Sequence, residues 1–424
     1  MMYLSASNIS KSSFKTNTRI SFSTLFLSVL IVISMTPFLV RNCPRFIIIA
    51  SIIGWIVSSF VEKRIPFKNN KYNLILFCTF LFVLVDFLYY FSGYSDAAIG
   101  NYMMHSICYI FILAALTILE DKRHSYKFII ALIALIALIN VVSNIVISIK
   151  YPDAFMDINN WPEKYSHTNV AQTWFYFACV LLVGFLLILF TISKKNTHRF
   201  FLIVSVLLVL YFLFFCGARA TSAILVVSLM LAFIFVRLFI KKKYFLLSFV
   251  LIILLILLLF SNSLLDFVET MIGPSRLTER IDDIRLLLSG EANQNGSLFG
   301  RTQLMQLSLD SFFKSPTSFL FGIGYHVDVD PYAVGIGQHS TFIDCLAQYG
   351  IIFSFLFFYI IFSSCFAIAR KVEFTTLRPY VIVMCVVFIL YGFVNVFLHT
   401  AIFAVFFIVT ASVARISEKE CCKL

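Results

Sequence analysis

A few polar side chains, set in a very apolar chain, are the groups in this sequence that could do chemistry. His339 closes the glycine-rich stretch FGIGYHVDVDPYAVGIGQH and stands immediately before an apolar run that starts at Ser340. At a helix N-terminus the positive end of the backbone dipole would keep the imidazole neutral and able to accept a proton. The plainer alternative is a loop histidine that caps the helix. Arg219 lies in CGARATS, a short turn between two apolar runs, the second of which starts near Ser222. A guanidinium fork beside a helix N-terminus suits phosphate, whereas an Arg that only snorkels to lipid headgroups needs no ligand. Arg276, Arg280, Arg285 and Arg301 share one polar segment with nine acidic residues. They either grip a diphosphate bidentately or form surface ion pairs, which are common and weak. Asp86 interrupts the apolar run LILFCTFLFVLVDFLYY and is followed by Tyr89, Tyr90 and Tyr94. A charge inside such a run is costly; it either meets substrate or is locked by a basic neighbour and tyrosine hydroxyls.

Other chemistries lack their residues. The ten cysteines are scattered, without CxxC or Cys/His metal spacing, and most sit inside apolar runs as small hydrophobes. There is no P-loop and no dinucleotide glycine motif. No cofactor, no metal and no nucleotide-driven step is expected.

The elements that hold these groups must be membrane helices. Hydrophobic residues make up 61% of the chain and charged ones 13%, about half the charge of an ordinary soluble protein. A helix needs roughly 20 apolar residues to cross the hydrocarbon layer. Twelve runs qualify: 20–40, 46–61, 72–92, 100–119, 128–149, 169–192, 200–216, 222–240, 244–260, 340–369, 379–395 and 396–414. The last two form one unbroken stretch, divided near Asn395 because a single span of that length does not fit. The net charge of +12 is then a topology signal and not a nucleic-acid surface. With the N-terminus in the cytoplasm, 23 of the 33 Lys and Arg fall on the inner side, and five of the other ten lie in one long outer loop. Both ends are therefore expected inside: a tail over 1–19, helices over 20–262, the loop over 263–339, helices over 340–414 and a tail over 415–424.

Loops of that length usually carry function or their own structure. Leu277, Ile281, Ile284 and Leu288 repeat at helical spacing, and a second helix is expected from Arg301 to Phe313, stopping before Pro316. The glycine-rich stretch after it is expected to be irregular. Asp86 falls in the outer third of its span. His105, His167, His326, His339 and His399 all fall on the outer side. The helix from Ser340 is expected to descend into the membrane with its N-terminus facing out.

The segment GRTQLMQLSLDSFFKSPTSFLFGIG, followed by GQHSTFIDCLAQYG, resembles the O-antigen ligase/polymerase superfamily, and CGARATS is similar to its Gly-Arg turn. Where that superfamily often has Asn after the histidine, this chain has Ser340. The resemblance implies a bacterial inner-membrane protein with a periplasmic loop and glycosyl transfer from a glycan on undecaprenyl diphosphate. His339 would be the base and Arg219 the stabiliser of the leaving diphosphate. Arg301 first, then Arg276 and Arg280, would bind substrate, and Asp86 is a further candidate for binding it. Membrane lipid, a chain-length regulator and a flippase would be its partners. The wording around His339 looks more like a polymerase of repeat units than a ligase acting on lipid A-core. The readings outside this family are a lipid-linked oligosaccharide flippase and a structural scaffold. Transporters usually show internal repeats and sites near the bilayer midplane, whereas the polar residues here gather at the outer face.

Overall fold

The computed structural model describes residues 21–62, 70–92, 99–120, 127–151, 154–160, 163–217, 220–272, 278, 281, 285, 297–324, 336–372 and 377–421. Among these residues there are helices and connections but no strand. The helices are α1 (Phe22–Met35), α2 (Pro37–Asn42), α3 (Arg45–Val61), α4 (Asn70–Phe91), α5 (Ile99–Glu120) and α6 (Lys127–Lys150). After the short α7 (Ala154–Asn160) come α8 (Thr173–Ile192), α9 (Asn196–Tyr211), α10 (Ala220–Ile240), α11 (Tyr244–Leu259) and α12 (Ser261–Ile272). The loop region holds α13 (Ser297–Phe313) and α14 (Pro316–Phe321), and α15 (Thr341–Lys371), α16 (Arg378–Val394), α17 (Thr400–Phe403) and α18 (Thr410–Cys421) complete the chain.

Every apolar run is helical, and six helices are long and apolar enough to cross a membrane. Apolar side chains on the outside of the bundle remain uncovered, as lipid contact requires: Phe245 on α11, one of the shorter apolar helices, is 88% exposed. By contrast 401–414 are almost completely buried, so α17, a π-helical turn over Ala404–Val409 and the start of α18 form the centre of the bundle. Phe406 stacks on Phe388 there, with ring centroids 4.0 Å apart.

One end of the bundle gathers charge. Tyr72 at the start of α4 lies beside Glu120 at the end of α5, with Arg370 and Arg415 nearby, and Lys371 pairs with Glu120 at 3.2 Å. The opposite end gathers interruptions. Pro37 cannot donate to the helix before it, so α1 stops at Met35, and Asn140 of α6 donates to the Met35 carbonyl at 3.1 Å. Arg41 donates to the carbonyls of Thr168 and Val170 at 2.6 and 3.1 Å, and Asn169 donates to the Asn140 side-chain oxygen at 2.6 Å. Between α6 and α8, hydrogen bonds from Lys164 and then Tyr165 hold the Asp157 carboxyl below the ordinary range for Asp.

The helix expected to run unbroken from Ser340 instead doubles back. Gly350 has φ 67° and ψ 178°, a conformation essentially reserved for glycine. In a continuous helix Phe342 and Phe358 would lie about 24 Å apart at 1.5 Å per residue; their ring centroids are 5.3 Å apart. Ser354 donates to the Cys345 carbonyl at 2.7 Å, closing the same hairpin nearer its tip. The roughly 21 residues after Gly350 still span about 31 Å, enough to cross a membrane. The half-helix before it runs back along them, and Phe342 reaches Phe362 with centroids 5.7 Å apart.

The loop region covers the hairpin tip. Gly322, at φ 78° and ψ −172°, lies so close to Gln348 that a Cβ would collide with its carbonyl. A Cβ on Gly350 would likewise meet the backbone of Leu320 and Phe321. The carbonyls freed by the break are taken up by this segment: Ile323 N–H donates to Ala347 at 2.8 Å and Gly324 N–H to Gln348 at 3.1 Å. The expected helix before Pro316 is α13, which starts at Ser297, four residues before the expected Arg301, while α12 follows α11 without having been expected. The expected helix around Leu277–Leu288 falls mostly outside the described residues; 278, 281 and 285 are helical.

Candidate functional site

The expected division of the last apolar stretch coincides with a second interruption. α16 ends at Val394, Asn395 is extended at φ −160° and ψ 168°, and helix resumes only at Thr400. This unwound segment touches the start of the α15 half-helix. Thr341 N–H donates to the Asn395 carbonyl at 3.3 Å, and Phe397 N–H donates to the Thr341 hydroxyl at 2.8 Å. Non-helical backbone inside a membrane bundle persists only where protein buries it or where it lines a polar cavity. Two such segments in contact mark the place where a site can be built.

His339 stands at this junction, half-buried. Its Nδ1 lies 2.8 Å from the Gln338 carbonyl. A carbonyl only accepts, so Nδ1 carries the hydrogen, and in an uncharged ring the lone pair is then on Nε2. That is the form of a general base. The residue before it, Gln338, has φ 56°, a left-handed backbone that a side-chain-bearing residue adopts at a cost of roughly 1–2 kcal/mol. The start of the half-helix does not stand at an end of the bundle, where the sequence reading put it, but beside the middle of the following helix, where Phe342 meets Phe362. Because the chain reverses at Gly350, its N-terminus opens into the bundle beside Gly392 and Asn395.

The flanks of His339 are tied to α13. Asp344 accepts from the Ser340 N–H at 3.0 Å and from the Ser308 hydroxyl at 2.7 Å. Ser308 in turn accepts from the Gly337 N–H at 2.8 Å. A Cβ on Gly337 would collide with the Leu304 carbonyl, so the strand before His339 lies directly on α13. Arg301, Leu304 and Ser308 share one face of that helix at spacings of three and four. The predicted substrate-binding Arg301 is therefore one turn from the Gly337 contact, half-buried and already engaged with other groups.

Asp86 is 5% exposed and accepts a hydrogen bond from the Tyr349 hydroxyl at the hairpin tip. Tyr89, one turn further on, donates to the Phe321 carbonyl and packs on Tyr349 with ring centroids 5.5 Å apart. Asp86 and His339 thus sit at opposite ends of the half-helix. The tyrosine lock weighed from the sequence has a tyrosine in place. Asp86→Asn is expected to keep transfer and stability, while Asp86→Ala strands a buried hydroxyl and destabilises by about 1–3 kcal/mol. An inactive but fully stable Asp86→Asn protein would mean that substrate uses the charge.

Arg219, Arg276 and Arg280 lie outside the described residues. Two residues before Arg219 in the sequence, Gly217 is packed against the Tyr176 ring of α8. Two residues earlier on α8, Trp174 faces His399 with ring centroids 6.1 Å apart and a 31° tilt. The chain leading into Arg219 and the unwound segment after α16 therefore flank the same turn of α8. Arg285 is spent on Asp266 and Glu269 of α12, at 2.6 and 3.0 Å, the ion-pair role for a loop arginine.

Sequence reading missed Ser308, Asp344, Thr341 and Tyr349. One signal was present: the run 340–369 is some 45 Å long as a single helix, too long for one crossing, and it contains a glycine. No protein-family model matches the chain, and no curated protein matches it.

Proposed function

We propose that this protein is a membrane glycosyltransferase of the O-antigen polymerase type. It joins undecaprenyl-diphosphate-linked repeat units at the outer leaflet of the bacterial inner membrane. The observation that carries the reading is His339: a half-buried imidazole with Nδ1 occupied and Nε2 left as acceptor, at the meeting point of two interrupted helices. In this reading the chain crosses the membrane twelve times with both termini in the cytoplasm. The charged end around Glu120 and Lys371 is the inner end, and residues 263–339 are periplasmic.

The acceptor hydroxyl gives its proton to His339 Nε2 as its oxygen attacks the anomeric carbon of the donor sugar. The bond from that carbon to the phosphate oxygen breaks, its electron pair leaves with the lipid diphosphate, and the anomeric centre inverts. Arg219 and Arg301 stabilise the departing diphosphate, the charge that grows in the transition state. Arg276 and Arg280 are assigned to substrate binding in the same reading.

Purified protein in detergent, given the lipid-linked repeat unit with and without lipid A-core, tests the proposal on a gel. A ladder from the repeat unit alone supports the polymerase; product only with lipid A-core makes the protein a ligase. Because guanidinium groups neutralise the diphosphate in this mechanism, turnover is expected to be unchanged in EDTA. Full loss, restored by a divalent cation, would replace the arginines with a metal.

The second reading is transport of a lipid-linked oligosaccharide. Two discontinuous helices meeting inside a bundle are an architecture that secondary transporters use for their sites. Movement of the lipid-linked unit across a vesicle bilayer, without any new glycosidic bond, would favour it.

A further inference from the structure

We propose that Ser308 and Asp344 are positioning residues for His339, bracketing it so that Nε2 is aimed at the acceptor; this rests on the reading of His339 as the base. Backbone N–H groups on both sides of His339 lead to one carboxylate: Ser340 N–H donates to Asp344 directly, and Gly337 N–H donates to the Ser308 hydroxyl, which itself donates to Asp344. That carboxylate is 8% exposed, and the Ser308 hydroxyl that donates to it is fully buried. Neither residue can touch a polymer substrate, yet both are one bond from the segment that carries the base.

A helix cap alone does not account for this arrangement. Ser340 already caps α15, accepting from the Ile343 N–H at 3.4 Å. Burying a carboxylate is costly unless hydrogen bonds satisfy it, and here the second donor, Ser308, comes from another element, α13. Ser308 is the crossing point: it accepts from Gly337 and donates to Asp344, fixing residues 337–340 between two helices. The bracket holds Gln338 in its left-handed conformation at φ 56°. That conformation in turn sets the peptide whose carbonyl receives His339 Nδ1–H. The direction of Nε2 is thus decided two bonds away from the ring, by α13.

Such a role acts on kcat. Misplacing a catalytic group by about 1 Å can cost on the order of 10²-fold while substrate contacts persist. Ser308→Ala and Asp344→Ala are each expected to lower kcat by roughly 10- to 100-fold with KM within about twofold. Asp344→Asn retains an oxygen for the backbone N–H groups and an amide for Ser308, and is expected to recover most of the turnover. A helper measurement is thiol labelling of Gln338→Cys, read by mass spectrometry at that site: the Asp344→Ala change should speed it. Ser308→Ala, which removes a single oxygen, guards against the possibility that Asp344→Ala fails to fold.

Wild-type kcat in both alanine variants, with His339→Ala inactive, overturns this inference and leaves the base in place. A raised KM with unchanged kcat also overturns it, by making the pair part of substrate binding. An Asp344→Asn protein as inactive as Asp344→Ala would replace the bracket with a need for the charge itself. Full turnover in His339→Ala would remove the underlying reading instead, whatever the other variants do.

Discussion

His339→Ala is expected to insert and fold as the wild type does and to join no repeat units. Its ring is half-buried at the end of a connection, and among the described residues its hydrogen bond is to the carbonyl of its own neighbour. Among the described residues, removing it leaves no other element without a partner. What disappears is the acceptor at Nε2, and loss of a general base lowers turnover by roughly 10²- to 10⁴-fold. The measurement is ladder formation from lipid-linked repeat units by purified protein, beside a melting curve of the same sample. Wild-type chain length in this variant would take His339 out of the mechanism. A variant that also fails to melt cooperatively would instead show a structural histidine.

Gly350→Val should have the largest effect on the fold itself. The φ 67°, ψ 178° backbone at this position excludes a β-branched side chain, and a Cβ would run into the backbone at Leu320 and Phe321. Strain of this kind costs about 1–3 kcal/mol and overpacking a similar amount. Relief comes only if α15 straightens, which pulls Phe342 away from Phe358 and takes His339 with it. Cysteines placed at 342 and 358 should be joined by a short thiol cross-linker in the wild-type background and not in Gly350→Val. Transfer should be lost along with the cross-link. Persistence of both would mean that the hairpin does not depend on the glycine. Gly322→Val, on the opposing segment, is expected to give a milder form of the same defect, because the loop has more freedom to move aside.

Much of this architecture was readable in the residues because a bilayer imposes one simple demand, that about 20 consecutive apolar residues form a helix. All twelve apolar runs are helical, the division near Asn395 is a true interruption, and α13 ends just before Pro316. The site was legible only in outline. His339 and Arg301 could be singled out because their types are costly or reactive where they stand. Ser308 and Asp344 could not, since a serine and an aspartate thirty-six residues apart carry no mark of sharing a hydrogen bond. Nor could Asp86 be matched with Tyr349, its partner across 263 residues of chain.

Hydrophobicity and its interruptions, which are local properties, determined that this is a helical membrane protein with its chemistry gathered toward one end. The glycine at 350 was visible as a letter in a motif. That it reverses the chain depends on Gly322 approaching from the loop, and on Ile323 and Gly324 satisfying the carbonyls the break exposes. A helix stays whole unless something outside it supplies the lost hydrogen bonds. That supply is a tertiary matter, and it decided that the half-helix behind His339 opens into the bundle.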